Sequence, residues 1–546
     1  MRGIWAMARH TFAQCLRMKV ATLFIVLLAL ALVVIPATAK GDGTLTGRIQ
    51  TLLAYSVSAT VMLLGLVTIF LGVSVVTDDI HDKQIFSVAT KPLARWQYIV
   101  GRWLGVVMLD ALLLTLAGLG IYAAAEHLRG FPAMNEVDRR RVETEVFTAR
   151  RSVAPLTENL DRQVAQRLEQ VETSPTYSAT LDEYRSRSGG DTEIARKLLA
   201  EEIHKQVYEQ AQSAAPGRQL SWVFNEVRVQ GKETSGRGTV KQLVSHANRV
   251  WFQVPAPLIG RLVYQGPILV DGVEGRVVGI TQEGGEHLFA VTFDQEKMTQ
   301  TNLAALHTGQ NVTLTFMTTI QLTYKPEPGA PVAGNVLHCV WEIENSATGY
   351  LYRFPRQVPP NLPDTLTIPA SVIQPDGSVH ARYINMFSPD GAGVSVTILN
   401  SNVSVLYRVG DFSSNFVRGM ALVLLQLVFL AAVAVLTGSF LSFPVACLMN
   451  FGLFPFYFMR SFLVGSFATD GFAFFNLTSE YILKVTNWLL PDLAALWPSD
   501  SLVDGMNIAW GYVGLLAATT VGIQCLAAMT LACVIFSKRE LAKVQV

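Results

Sequence analysis

Six apolar runs punctuate the chain, and between the third and fourth lies a long stretch of mixed character. The runs cover residues 20–39, 51–77, about 103–125, 419–442, 444 to about 466, and 508–536. Crossing the hydrocarbon core takes about 20 apolar residues in a helix, so each run predicts a transmembrane helix. Pro444 is the expected turn between the fourth and fifth. The apolar positions before the first run (Ile4, Trp5, Ala8, Phe12, Cys15 and Leu16) recur at helical spacing, with Arg2, Arg9, Arg17 and Lys19 as the basic side and flank. Residues 1–19 therefore read as an amphipathic helix in the cytoplasmic interface. A cleaved leader is the alternative, disfavoured because the stretch before the run is long and amphipathic rather than a short basic tip.

The middle region changes period. Over 126–215, Val137, Val142, Val146 and Val153, then Leu160, Val164, Leu168 and Val171, then Leu198, Leu199, Ile203 and Val207 repeat at threes and fours. They predict helices that pair as a hairpin, with 186–191 as a linker and Asp191 or Thr192 capping the third. Over 216–412 the pattern becomes short runs rich in Val, Thr, Ile and aromatics, cut by turn residues. Asp271-Gly272 and Asp376-Gly377 are hairpin signals. A β-sandwich is the natural way to bury so many strands, with Trp222, Trp251, Trp341 and Tyr383 as core aromatics. A sugar-binding platform is the sharper alternative, but these aromatics do not cluster in sequence. The expected fold is an α-helical polytopic domain of six transmembrane helices plus an extracytoplasmic α+β domain with a helical hairpin and a β-sandwich.

Charge orients this frame. Lys and Arg concentrate at the N-terminus, in the 78–102 loop (Lys83, Lys91, Arg95, Arg102) and in the tail (Lys538, Arg539, Lys543). The stretch between the fifth and sixth runs holds Lys484 against Asp470, Glu480, Asp492, Asp500 and Asp504. By the positive-inside rule both termini and the 78–102 loop are cytoplasmic, and 126–412 is extracytoplasmic.

Composition agrees. Half of the 546 residues are hydrophobic and 16% charged, against about a quarter charged in soluble domains. A net charge of +1 without a basic, aromatic-interleaved tract argues against nucleic acid. Cys15, Cys339, Cys447, Cys525 and Cys533 form no CxxC or zinc spacing, and Cys339 stands alone in the middle region, which excludes an internal disulfide there. His246, His287, His307, His338 and His380 lie far apart and outside catalytic motifs, so no catalytic residue, metal site or resident cofactor is expected. Two ionisable residues fall inside apolar runs, where charge is costly and faces protein, a partner or water. Asp110 reads equally as a structural hydrogen bond or as part of a translocation path, and Arg460 reads as snorkelling outward.

The loop after the second run carries the most specific pattern. It has acids at Asp78, Asp79 and Asp82, then apolar Ile80, Ile85, Val88 and Ala89, then Lys91-Pro92 and Arg95-Trp96, and finally Gly101-Arg102. It predicts a short amphipathic helix over 79–91 with acids in its first turn, where the dipole favours them, ended before Pro92. This stretch resembles the coupling-helix segment of ABC-2 type permeases, the membrane-spanning subunits of a class of ABC transporters (type V exporter-like). The usual opening of that motif is replaced here by Thr77-Asp78-Asp79-Ile80-His81-Asp82. The resemblance extends to the N-terminal interface helix, the six-run count and an outer re-entrant segment at 470–505, thus to most of 1–125 and 413–546. It implies that Asp79, Asp82, Lys91, Pro92, Arg95, Gly101 and Arg102 meet a cytoplasmic ABC ATPase. No Walker lysine loop occurs in the chain, so ATP and Mg would be handled by that separate partner. A homodimer or second permease, a multi-pass place in the inner (plasma) membrane, and an envelope partner for the outer domain are further implications. Export and mechanical work outside share this signature. A membrane-anchored envelope scaffold without ATP coupling is the alternative function.

Overall fold

The computed structural model describes residues 2–39, 41–81, 94–175, 177–187, 192–229, 234–244, 249–254, 267–271, 273–283, 286–293, 306–316, 319–330, 332, 336–345, 350–388, 391, 393–454 and 496–538. The chain divides into two compact units, Met1–Ala149 with Gly410–Val546, and Arg150–Val409.

The first unit is helical. Its elements are α1 (Arg2–Arg17), α2 (Lys19–Thr38), α3 (Leu45–His81), α4 (Arg95–Arg129), the short α5 (Glu136–Arg141), α6 (Phe412–Phe440), α7 (Phe443–Phe454), α8 (Ser499–Val503) and α9 (Trp510–Lys538). Among the described residues α2, α3, α4, α6 and α9 are long and apolar enough to cross a membrane, which marks a membrane protein. The expected fifth span begins as α7, and its remainder, with Arg460, lies outside the described residues. The break between α6 and α7 falls at Leu441-Ser442, so Pro444 sits in the first turn of α7, where its missing N–H costs nothing. α3 is the most enclosed of these apolar helices, whereas α2 is the least, leaving Leu23, Val26, Leu30 and Val33 exposed. Small residues let α3 and α6 approach. A Cβ at Gly72 would lie 2.6 Å from that of Ala434, and one at Gly438 would lie 3.0 Å from the Val73 carbonyl.

The start of α3 is capped from outside the helix. Its first amides have no intrahelical acceptor. Leu45 and Thr46 N–H donate to the Asp138 carboxylate at 2.8 and 3.0 Å, and Gly47 N–H donates to Thr44 Oγ1 at 2.9 Å. Burial opposes ionisation of Asp138, but the amides of Thr46 and Leu45 outweigh it and hold its carboxyl below the ordinary 3.8. A carboxyl depressed by folding stabilises above its unfolded pKa and loses that contribution as pH falls through the folded value. Asp138→Ala should therefore destabilise by about 1–3 kcal/mol at pH 7. The gap from wild type should shrink in thermal unfolding scans taken below pH 4.

The second unit is α+β. Three helices (Glu158–Glu172, Tyr177–Arg187 and Thr192–Ala211) stand where a hairpin was expected, with Tyr208 OH donating to Asp161 at 2.8 Å to join the first and third. Val153 is no helix residue. The helical pattern ends in a π-turn over Val142–Val146, and Thr148–Val153 is strand β1. β-Branched crowding at Val142, Thr144 and Val146 gives a weak helix, and pairing with a sheet takes over.

Two four-stranded sheets enclose one core. In the first, β1 neighbours β17 (Val403–Asp411), which pairs with β10 (Thr319–Tyr324) and that with β14 (Asp364–Pro369). The second runs β13 (Tyr350–Val358), β12 (Leu337–Asn345), β15 (Val379–Asn385), β3 (Gln219–Phe224). A small sheet joins β2 (Ser213–Ala214), β16 (Val396–Thr397) and β11 (Glu327–Pro328). Trp341 is fully buried, its ring 5.6 Å from Trp222, 4.8 Å from Tyr324 and 5.3 Å from Tyr383.

Between β3 and β10 the chain builds a closed six-stranded barrel, which a single sandwich does not anticipate. Its strands are β4 (Thr234–Val244), β5 (Arg249–Val254), β6 (Pro267–Val270), β7 (Val273–Glu283), β8 (Glu286–Thr292) and β9 (Asn311–Phe316), in the order β4-β5-β8-β7-β6-β9. Register shifts at Val240/Gln242 and Val277/Gly279 supply the bending that closure needs. Trp251 is only half-buried, because the two-residue period of β5 turns Val250 and Phe252 into the barrel. Asp271-Gly272 connects the paired strands β6 and β7, with Asp271 at φ +48°. Asp376-Gly377 is a turn leading into β15, not a hairpin, since β14 and β15 belong to different sheets.

Candidate functional site

Of the expected site residues that are described, Asp79, Gly101 and Arg102 gather where α1, α3 and α4 meet. Glycine makes the approach possible. A Cβ on Gly101 would stand 2.6 Å from Met7 Cβ, and one on Gly105 would stand 2.7 Å from the Ala8 carbonyl. One turn apart, the two glycines form a groove on α4 into which α1 settles through Ala8, Thr11 and Cys15.

Across this contact Arg102 joins all three helices. Its guanidinium is ion-paired with Asp79 in the last turn of α3, and both side chains are 3% exposed. It donates to Thr11 Oγ1 at 3.1 Å and to Gln14 Oε1 at 2.5 Å on α1. Tyr98 OH donates to the same Asp79 carboxylate, and the guanidinium lies over the Tyr98 ring at 5.3 Å. Thr11 Oγ1 in turn donates a hydrogen bond to the Met7 carbonyl at 2.9 Å. Buried charges need such pairing, because taking each ion out of water costs several kcal/mol. Nearby, Arg95 donates to the Ser537 carbonyl at the end of α9, and Tyr98 stacks on Phe536 at 5.3 Å.

Asp78 and Asp79 do not open a new helix. α3 continues unbroken through His81, which puts both acids at the end the dipole disfavours. Arg102 compensates Asp79, and Ser74 donates to Asp78. Gly101 and Arg102 are brought together with Asp79, while Arg95 sits exposed at the start of α4. Asp82, Lys91, Pro92 and most of the 79–91 helix lie outside the described residues.

Asp110, two turns beyond Arg102 on α4, is fully buried, and neither carboxylate oxygen meets strict hydrogen-bond geometry among the described residues, the neighbouring Thr68 hydroxyl donating instead to the Leu64 carbonyl at 2.7 Å. Cys15 of α1 and Thr68 of α3 are among the neighbours of Asp110. Gln426 on α6 is likewise fully buried, with both polar atoms unpartnered among the described residues.

At the other end of the helices, 496–508 is docked against α3 and α6. Gln50 donates to the Val503 carbonyl at 3.2 Å, and Asn415 both donates to Met506 O and accepts from Ile508 N–H at 2.8 Å. Arg418 donates to Asn507 at 2.6 Å. Only this last part of the expected 470–505 re-entrant segment is described.

Sequence reading passed over Thr11, Gln14, Tyr98 and Gln426. Tyr98 and Arg102 share a helix face at i, i+4, and Thr11 and Gln14 interrupt the apolar side of α1. Both are signals of a polar seam between helices. No protein family, curated protein or solved structure matches the chain.

Proposed function

We propose that this chain is the permease subunit of an ABC transporter of the ABC-2 type. It would couple ATP hydrolysis by a separate cytoplasmic ATPase to substrate export or to mechanical work on the extracytoplasmic side. One observation carries the reading. The buried Asp79–Arg102 pair clamps together the two helix ends that flank segment 82–93 and ties them to α1. A segment that merely links two spans has no need of a buried, three-helix ionic clamp. One that receives force from a partner does, because force passes only through elements held at both ends.

Within this reading α7 opens the fifth of six spans, α9 is the sixth, and the termini are cytoplasmic. Residues 150–409 work outside the membrane, and Asp82, Lys91, Pro92 and Arg95 face the ATPase. Asp110 and Arg460 are the intramembrane polar positions. Purification from native membranes in mild detergent, followed by identification of bound subunits, tests it. A stoichiometric ATPase is expected, with hydrolysis altered by Arg102 substitution. A folded chain without any ATPase would overturn the reading in favour of an envelope scaffold.

A further inference from the structure

α1 has a second side that the clamp leaves open. Ala8, Thr11 and Cys15 are buried, whereas Arg2, Trp5, Arg9, Leu16 and Arg17 are exposed, Trp5 by 58% and Leu16 by 40%. Positions 2, 5, 9 and 16 follow i, i+3, i+7 and i+14, so they form one stripe along the helix, and Arg17, exposed in the last turn, flanks it. The helix contains no acidic residue to neutralise it. Exposed Trp and Leu on a soluble surface would be costly at this density. Here the surroundings explain them, because Met18 alone separates α1 from α2, the least enclosed of the apolar helices. The stripe is thus held covalently at the lipid boundary, and its character is large apolar side chains beside arginine.

We propose that this stripe of α1 binds the headgroups of anionic phospholipids, with Trp5 and Leu16 in the acyl boundary and Arg2, Arg9 and Arg17 on the phosphates. Arginine presents forked donors that match phosphate oxygens, and each basic residue near an anionic surface adds attraction that salt screens. The opposite side of the same helix carries Thr11 and Gln14, both bound to Arg102. Membrane surface charge therefore bears on the position of α1 and, through it, on the Asp79–Arg102 clamp. The proposal rests on the chain being a membrane protein and not on an ATPase partner.

The test uses the full chain in nanodiscs with no other protein present. An environment-sensitive fluorophore is placed at Ala13→Cys, an exposed position of α1, with the half-buried Cys533 replaced by alanine. Emission should shift to the blue when phosphatidylglycerol replaces about a third of the phosphatidylcholine, and added salt should reverse the shift. Arg2→Gln/Arg9→Gln/Arg17→Gln should abolish it, and Trp5→Ala should reduce it while keeping its salt dependence. Emission indifferent to lipid charge overturns the proposal, as does a shift that survives in the triple variant. Failure to recover any ATPase from native membranes leaves this outcome untouched, so the two readings fail separately.

Discussion

Arg102→Leu should lower the stability of the helical unit by about 3–5 kcal/mol, the cost of leaving a buried carboxylate without its partner. Asp79 would keep the Tyr98 hydroxyl but lose its counter-charge, and Thr11 and Gln14 on α1 would lose their donor. Thermal unfolding of the detergent-solubilised chain measures the loss. The double variant Asp79→Leu/Arg102→Leu separates stability from the proposed coupling. Removing both charges removes the desolvation burden with the attraction, so most of the stability should return. Coupling should not return, because leucines hold α1 by shape alone and give the clamp no directional bond. Full recovery of partner-stimulated ATPase activity in the double variant would show the pair to be structural only.

The second large effect belongs to the other unit. Trp341→Ala empties the centre of the sandwich, where the indole meets Trp222, Tyr324 and Tyr383. Truncating a fully buried aromatic costs about 3–5 kcal/mol. Limited proteolysis should then cut within 150–409 at temperatures where wild type resists. Cys339 reports the same event. Burial pushes its thiol up to about 11, so at pH 8 it should be inert to thiol reagents in wild type and reactive in the variant. The helical unit has its own core, so the temperature at which α1–α4 melt should stay unchanged.

Much of the helical unit was legible from the chain because lipid imposes a simple rule. A segment of about 20 apolar residues must satisfy its own backbone hydrogen bonds, and α2, α3, α4, α6 and α9 each announce themselves by that length. Helix ends were less legible. The acids at 78–79 read as a helix start, but the placement of Asp79 depended on Arg102, 23 residues away. Strands in the second unit were visible as alternation, but their division between a sandwich and a barrel was not. Runs such as 312–323 look continuous, while β9 pairs in the barrel and β10 in the sandwich. Trp251 illustrates the same limit, since a one-residue difference in register decides which of Trp251 and Phe252 is buried.

The sequence alone determined the existence of the apolar helices, the change to β structure after the third of them, and the peculiarity of the 78–102 stretch. Those are local properties of composition and period. Only the tertiary structure decided that Asp79 and Arg102 are a pair, that Gly101 and Gly105 admit α1 beside them, and that Asp110 and Gln426 are fully enclosed among the described residues. These depend on which faces of separate helices meet. Periodicity names a face but cannot say what lies against it.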